Sequence, residues 1–391
     1  MTLPFFIAAC LLPAFGLSLV LTWGMRRIAP RLGLIDRPAA RKVHVIPTPL
    51  GGGVAVWAAV VLPILGAIFV AWLIRQGVLP DSILPAALAV HIDGIMGKAP
   101  QLFAILGAGT LLAAVGLYDD FRAIPWPTRL VLQFVAAGIV VAAGVRVTLF
   151  VSLPWFGALV TVFWIVLLVN AFNFLDNMNG LTGGIALIAA VVLAAIMLTA
   201  LSEPRWFVAG TLLILVGSLA GFLVHNWRGT IFMGDAGSYF VGLLMASLTA
   251  AATFYETTHG SRHVLLAPLC VLAVPLYDFL SVMTIRLLQG RSPFQPDKSH
   301  FSHRLVELGL SPPRAVLTIW LATLTTGLAG LVLYQVPGWG GACLVLVIVC
   351  CVLAIVAILE TTGRRASRRL ARSEGMTAAG FAPADESPAK P

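Results

Sequence analysis

Eleven stretches of this chain are apolar for long enough to cross a bilayer, and that recurrence decides the solvent in which it folds. They run roughly over residues 3–23, 50–74, 101–118, 128–145, 155–172, 181–200, 206–226, 239–255, 263–285, 315–335 and 339–359. A spanning helix needs about 20 such residues. Of the 391 residues 59% are hydrophobic and only 10% charged, whereas soluble domains carry about a quarter charged. Backbone amides in lipid have no water to bond, so spans of this kind fold as helices. The expected fold is all-α: a polytopic integral membrane protein with about eleven transmembrane helices. Residues 1–360 form the membrane domain, and residues 361–391 a tail that is first basic ("GRRASRRLAR") and then disordered.

The first apolar stretch has no basic leader and no small-residue cleavage site, so it reads as a retained helix. All five cysteines fall inside apolar stretches without metal spacing or a disulfide framework, and packing is their expected use.

Eleven spans put the termini on opposite sides, and the basic residues say which is which. Twenty of the 25 lysines and arginines lie in one set of loops, and the other set holds only Arg75, Lys98, Arg146, Arg205 and Arg262. The richer set is therefore expected to be cytoplasmic, with the N-terminus outside and the C-terminus inside. The net charge of +9 then reflects topology and attraction to anionic headgroups or ligands rather than nucleic-acid binding.

The polar residues that remain are concentrated in those same loops. "GLYDD" with Asp119 and Asp120 follows the third span, "NAFNFLDNMNGL" the fifth, "FMGDAGS" with Asp235 the seventh and "SPFQPDKSHFSHRL" the ninth, while "RKVHVIPTPLGGG" follows the first. Adjacent carboxylates at a low-dielectric boundary call for a cation, a raised pKa or both. The donors are hard oxygens without cysteine, which favours Mg²⁺ or Mn²⁺ over Zn²⁺. Nearby lie Lys42, Arg129, Lys298, His300, His303 and Arg304, with glycine-rich turns at Gly51–Gly53 and Gly234–Gly237 whose amides could approach phosphate oxygens. Metal, cations and amides together describe a phosphate-handling site at the membrane face. Taken singly, each element has a plainer reading: an acidic pair can be a solvated cap, a glycine run a packed turn, and clustered asparagines a helix end. Their confinement to one side favours the site.

In this order the motifs "GLYDD", "NAFNFLDNMNGL", "FMGDAGS" and "SPFQPDKSHFSHRLVELGLS", preceded by "DRPAARKVHVIPTPLGGG", resemble the polyprenyl-phosphate N-acetylhexosamine-1-phosphate transferases over roughly residues 20–335. The resemblance implies a bacterial plasma-membrane enzyme that moves a sugar-1-phosphate from a UDP-N-acetylhexosamine to undecaprenyl phosphate or a related polyprenyl phosphate. UMP would leave, and the product would be a lipid-linked pyrophosphoryl sugar that initiates an envelope polysaccharide.

By the same resemblance Asp235 and Asn173 would ligate Mg²⁺, with Mn²⁺ as the substitute. Asp119 would sit nearest the lipid phosphate and accept its proton, and Asp120 and Asp176 would support metal and donor. Lys42, His44, Arg129, Asn179, Lys298, His300, His303 and Arg304 would contact the substrates. Asn179 stands where bacterial relatives often have Asp, so it could bind but not act as a base. The loop His300-Phe301-Ser302-His303 lacks the consecutive histidines of the branch that uses UDP-muramoyl-pentapeptide, which points to a plain donor such as UDP-GlcNAc. Direct attack by the lipid phosphate is preferred to a covalent Asp intermediate. Expected partners are the two substrates and membrane lipids, with a homodimer allowed and no nucleic acid. Asp278, inside the ninth span, stays outside the catalytic set, as a structural pair with Arg286 or a helix–helix contact. The competing class, a secondary transporter with these acids as ion ligands, would need mid-span charges and internal repeats.

Overall fold

Each of the eleven apolar stretches is helical in the computed structural model, which describes residues 3–38, 46–80, 92–147, 153–252, 254, 262–292 and 300–373, the last fourteen by backbone alone. The long helices are α1 (Leu3–Ile28), α2 (Gly52–Arg75), α3 (Ile92–Phe121), α4 (Trp126–Ala142) and α5 (Pro154–Leu175). They continue with α6 (Leu181–Ala195, extended by a π turn to Ala200), α7 (Trp206–Asn226) and α8 (Gly234–Ala251). The short α9 (Ala267–Val271) leads into α10 (Ala273–Leu288), followed by α11 (Phe301–Glu307), α12 (Pro312–Val332) and α13 (Gly338–Ser373).

Not all eleven stretches form helices that meet the length and composition of a membrane span. Among the described residues eight helices are long and apolar enough to cross a membrane, or nine if Arg262–Val271 and Ala273–Leu288, bent by 67°, make one span. Of the other two stretches, α4 has 17 residues, and α8 has 18 and opens on the polar run Gly-Asp-Ala-Gly-Ser. Composition alone does not separate a helix that meets lipid from one shielded by its neighbours. The basic start of the tail continues α13 as helix to Ser373; residues 374–391 lie outside the described residues.

The helix that organises the bundle is α8, buried from Ala236 to Ala250. Lipid supplies no hydrophobic drive between helices, so close packing relies on small residues. A Cβ added at Gly53 of α2 would lie 2.1 Å from the Gly237 nitrogen, one at Gly116 of α3 would lie 2.4 Å from the Asp235 carbonyl, and one at Gly242 would lie 2.7 Å from Val169 Cα of α5. On the far side α1 packs along α7, where Gly217 and Gly221 approach the carbonyls of Leu11 and Phe15.

A short antiparallel ribbon, β1 (Ile35–Asp36) with β2 (Thr48–Pro49), follows α1, pairing Ile35 with Pro49 and Asp36 with Thr48. It docks on the segment entering α8: Phe232 N–H donates to the Pro49 carbonyl (2.9 Å), Gly52 N–H to Phe232 (2.9 Å) and Gly53 N–H to Met233 (2.8 Å).

Candidate active site

The C-terminal ends of α3 and α5 meet the N-terminal end of α8, and this junction gathers four acidic or amide side chains. Asp120, at the end of α3, caps α8: its Oδ1 accepts Asp235 N–H at 3.0 Å and its Oδ2 accepts Ala236 N–H at 3.4 Å. A carboxylate there satisfies amides that the helix leaves unpaired and meets the positive end of the helix dipole. Gly234, with φ of +74°, makes the turn into α8 directly above that carboxylate.

Asp119, the adjacent residue, takes other partners. Three donors converge on it: Ile124 N–H (2.6 Å) on Oδ1, and Arg129 Nη1 (3.0 Å) and Tyr239 Oη (3.3 Å) on Oδ2. Its side chain is 5% exposed, against 29% for Arg129, so the Arg129 guanidinium keeps a path to solvent or substrate.

The amide-rich turn divides its labour. Asn170 Nδ2 bonds Gln133 of α4 at 2.6 Å and the Val166 carbonyl at 2.8 Å, a helix–helix contact. One turn later Asn173 Nδ2 donates to Asp235 Oδ1 at 2.6 Å and to Ser238 Oγ at 3.1 Å, which joins α5 to α8. The chain leaves helical geometry at Asp176, and Asn177 Nδ2 returns to the Phe174 carbonyl at 2.8 Å, satisfying a group at the helix end. Asn179 packs against Gly229, and its buried Oδ1 has no hydrogen-bond partner among the described residues. Gly180 closes the turn with φ of +77°, its N–H on Asn226 Oδ1 at 2.7 Å and its carbonyl on Trp320 Nε1 at 3.1 Å.

The Asp176 carboxyl lies in the turn, outside the helices. Burial, then the Asp235 charge, push it up from 3.8 to about 7, and Asp36 on β1 adds to the effect. An acid held near neutrality by its neighbours favours a counter-cation. Among the described residues no three His, Cys, Asp or Glu side chains form a metal cage. Mg²⁺ does not need one, because it commonly takes one or two carboxylates and completes its shell with water and substrate phosphate. Asp235 with Asn173, and Asp176 alongside, fit that donor set.

The histidine loop arrives from the other side. His300 packs edge-on against Phe174, ring centroids 5.5 Å apart, and 6.3 Å from His303. Ser302 Oγ donates to Asn177 Oδ1 at 2.5 Å, and Arg304 Nη2 donates to Ser281 Oγ on α10 at 2.9 Å. His300, His303 and Arg304 are all buried. Lys42, His44, Asp297 and Lys298 lie outside the described residues. The glycine-rich turns depart from the expected phosphate cradle: the Gly52 and Gly53 amides bond Phe232 and Met233, and those of Asp235 and Ala236 bond Asp120. The close approach of α2 to α8 accounts for Gly53 and Gly237.

A profile of glycosyl transferase family 4 matches residues 102–253, the segment from α3 to the end of α8. Over 365 residues the chain is 33% identical to the decaprenyl-phosphate N-acetylglucosaminephosphotransferase of Mycobacterium tuberculosis, covering 87% of this chain and 86% of that one. The chain belongs to glycosyl transferase family 4. Within the family it is also 29% identical to the probable undecaprenyl-phosphate N-acetylglucosaminyl 1-phosphate transferase of Bacillus subtilis (88% of this chain, 89% of that one). It is 26% identical to the undecaprenyl-phosphate alpha-N-acetylglucosaminyl 1-phosphate transferase of Escherichia coli K12 (85% and 86%).

Four residues of this family 4 site escape a reading by motif. Tyr239 completes the donors on Asp119, Asn226 ties the amide-rich turn to the Ile231 carbonyl, Asp36 faces Asp176, and Asp278 reaches His300. Asp36 carried a signal, as the one acid between the first two spans in a loop otherwise basic. The other three sit within or at the end of apolar helices and show their role only through the fold.

Proposed function

We propose that this protein transfers GlcNAc-1-phosphate from UDP-GlcNAc to a polyprenyl phosphate, releasing UMP and leaving the lipid-linked pyrophosphoryl sugar that starts an envelope polymer. One observation carries this reading: relatives from three distant bacteria, aligned over 85% or more of the chain, are all named for this transfer. The geometry supports it, because acid, amide and cation side chains gather at the junction of α3, α5 and α8 and not at mid-span. That placement disfavours the transporter alternative.

In this mechanism an oxygen of the lipid phosphate bonds to the phosphorus that carries the sugar, and the bond from that phosphorus to the UMP oxygen breaks. Asp235 and Asn173 would hold Mg²⁺, with Asp176 beside them, and the ion would neutralise charge on the donor pyrophosphate. Asp119 accepts the proton of the acceptor phosphate, and Arg129, bonded to it at 3.0 Å, draws the phosphate to that spot. Asp120 aims Asp235 by capping α8. His300, His303 and Arg304, with Lys42, His44, Asn179 and Lys298, bind donor phosphates and sugar.

The acceptor chain has a fitting surface in an apolar cavity of about 600 Å³ between α10 and α13, lined by Leu276, Leu280, Val349 and Leu353, with Arg304 also on its wall. The distribution of basic residues supports a cytoplasmic active site, where UDP-sugars are made. Purified protein in detergent, given undecaprenyl phosphate, Mg²⁺ and a panel of UDP-sugars, should release UMP with UDP-GlcNAc, and Asp235→Ala should abolish the release. A folded protein that releases no UMP with any donor would refute the assignment.

A further inference from the structure

We propose that Asp278 is a positioning residue for this transfer: it holds the ring of His300 by Nδ1 so that Nε2 is presented to a substrate phosphate. The proposal rests on the reaction assigned above, and it identifies a carboxylate that no motif marks.

Asp278 lies in α10 with no exposed surface. A carboxylate inside a membrane helix is costly and persists where it is fully bonded and has a task. Both oxygens are used, and both partners open α11. Oδ1 accepts Phe301 N–H at 2.7 Å, and Oδ2 lies 3.0 Å from His300 Nδ1. Arg286, two turns along α10, lies over the Phe174 ring at 5.0 Å.

The division between the two oxygens separates structure from chemistry. Anchoring α11 needs one acceptor, and Oδ1 serves it. The second oxygen is bonded to a titratable ring. A carboxylate can only accept, so Nδ1 carries the hydrogen and Nε2 is the nitrogen left for a ligand.

The ring is also held in place. Phe174, one residue from Asn173 and two from Asp176, meets it edge-on. Ser302 pins the loop to Asn177, and Arg304 bonds Ser281, one turn beyond Asp278 on α10. His300 is thus fixed between the amide-rich turn and α10, and Asp278 sets which nitrogen is left for a ligand.

The test is a double-mutant cycle on the full-length protein in detergent. Asp278→Asn keeps an oxygen for Phe301 N–H but turns an NH₂ toward His300, opposing the Nδ1–H. UMP release from UDP-GlcNAc should fall about 10–100-fold in kcat, as for other residues that orient a ligating histidine, with the melting temperature close to wild type. His300→Ala should fall at least as far. The double variant should match His300→Ala within about twofold, since Asp278 acts through that ring. Wild-type kcat in Asp278→Asn, or a double variant showing the product of the two single losses, would overturn the proposal.

¹⁵N-histidine spectra read the geometry without turnover. In the wild-type protein the signal that disappears in His300→Ala should show a protonated Nδ1, and an Nε2–H neutral ring there would overturn the proposal. If wild-type protein gives the Nδ1–H signal yet no UMP, the reaction assignment fails while the pairing stands.

Discussion

Gly116→Ala should slow the enzyme without touching a reacting group. A Cβ at this position would lie 2.4 Å from the carbonyl carbon and oxygen of Asp235 and 2.5 Å from the nitrogen of Ala236, all backbone atoms that cannot swing aside. Ordinary contact begins at 3.4 Å, so the first turn of α8 must retreat from α3 by about 1 Å. That turn holds Asp235 on Asn173 at 2.6 Å and on Asp120 at 3.0 Å; the retreat stretches the Asp120 bond beyond hydrogen-bonding range and shifts Asp235 against Asn173. Misplacement of about 1 Å costs on the order of 10²-fold in rate, and overpacking about 1–3 kcal/mol of stability. The Ala gain in helix propensity, about 0.5–1 kcal/mol, offsets part of the second loss and none of the first. The assay is kcat for UMP release beside thermal unfolding in detergent, with Gly107→Ala as the control. Gly107 lies on the same helix with nothing within 4 Å of its added Cβ, so that variant should keep wild-type kcat. Gly116→Ala within twofold of wild-type kcat would refute the argument that this helix contact sets the site.

Asn226→Ala removes the partner of the Gly180 amide and the Ile231 carbonyl; each buried group left unpaired costs about 1–3 kcal/mol, so the melting temperature should drop clearly and kcat with it. Chelation should abolish UMP release while the helical circular dichroism stays constant, and either Mg²⁺ or Mn²⁺ should restore it; full activity after exhaustive chelation would contradict the donor assignment. The pH dependence of metal binding follows from Asp176. Its carboxyl is raised from 3.8 to about 7, so below about pH 4 both folded and unfolded chains hold the proton and it costs nothing. Its penalty grows as pH rises toward 7 and is constant above. Mg²⁺ takes the place of that proton, so it should raise the melting temperature more at pH 8 than at pH 6; equal shifts would refute this.

Apolar run length located every long helix but not the short α11 at Phe301–Glu307, because a bilayer imposes that length only on segments that cross it. It did not identify α8 as the buried centre, since a helix enclosed by α2, α3 and α5 need not be apolar from its first turn, and Gly234–Ser238 is not. The polar motifs likewise located the site but not each residue's task. The five amides and acids of residues 170–179 look alike in a sequence, yet Asn170 joins two helices, Asn173 reaches Asp235, and Asn177 caps its own helix. Which of these a side chain does depends on the neighbour brought to it by packing, and Asn173 reaches α8 only because Gly242 lets α5 approach.

The acidic pair shows why two adjacent carboxylates are useful at such a junction. Successive residues on an α-helix point about 100° apart, so the end of α3 addresses two partners at once. Asp120 caps α8 by accepting the amides of Asp235 and Ala236; Asp119 takes Arg129 of α4 and Tyr239 of α8 and lies against the Asp235 carboxylate. A single rigid helix end thereby sets the spacing between the residue proposed to hold metal and the cation proposed to meet the lipid phosphate. Exchanging the two acids for amides should accordingly give different failures. Asp120→Asn turns an NH₂ against a backbone N–H and should loosen α8 and weaken Mg²⁺ binding. Asp119→Asn keeps the cap on α8, removes the charge beside Arg129 and Asp235, and should lower the lipid-dependent rate with a smaller loss of Mg²⁺ affinity than Asp120→Asn. If both variants lost metal affinity equally, the two carboxylates would share one task, and the division read from their hydrogen bonds would be wrong.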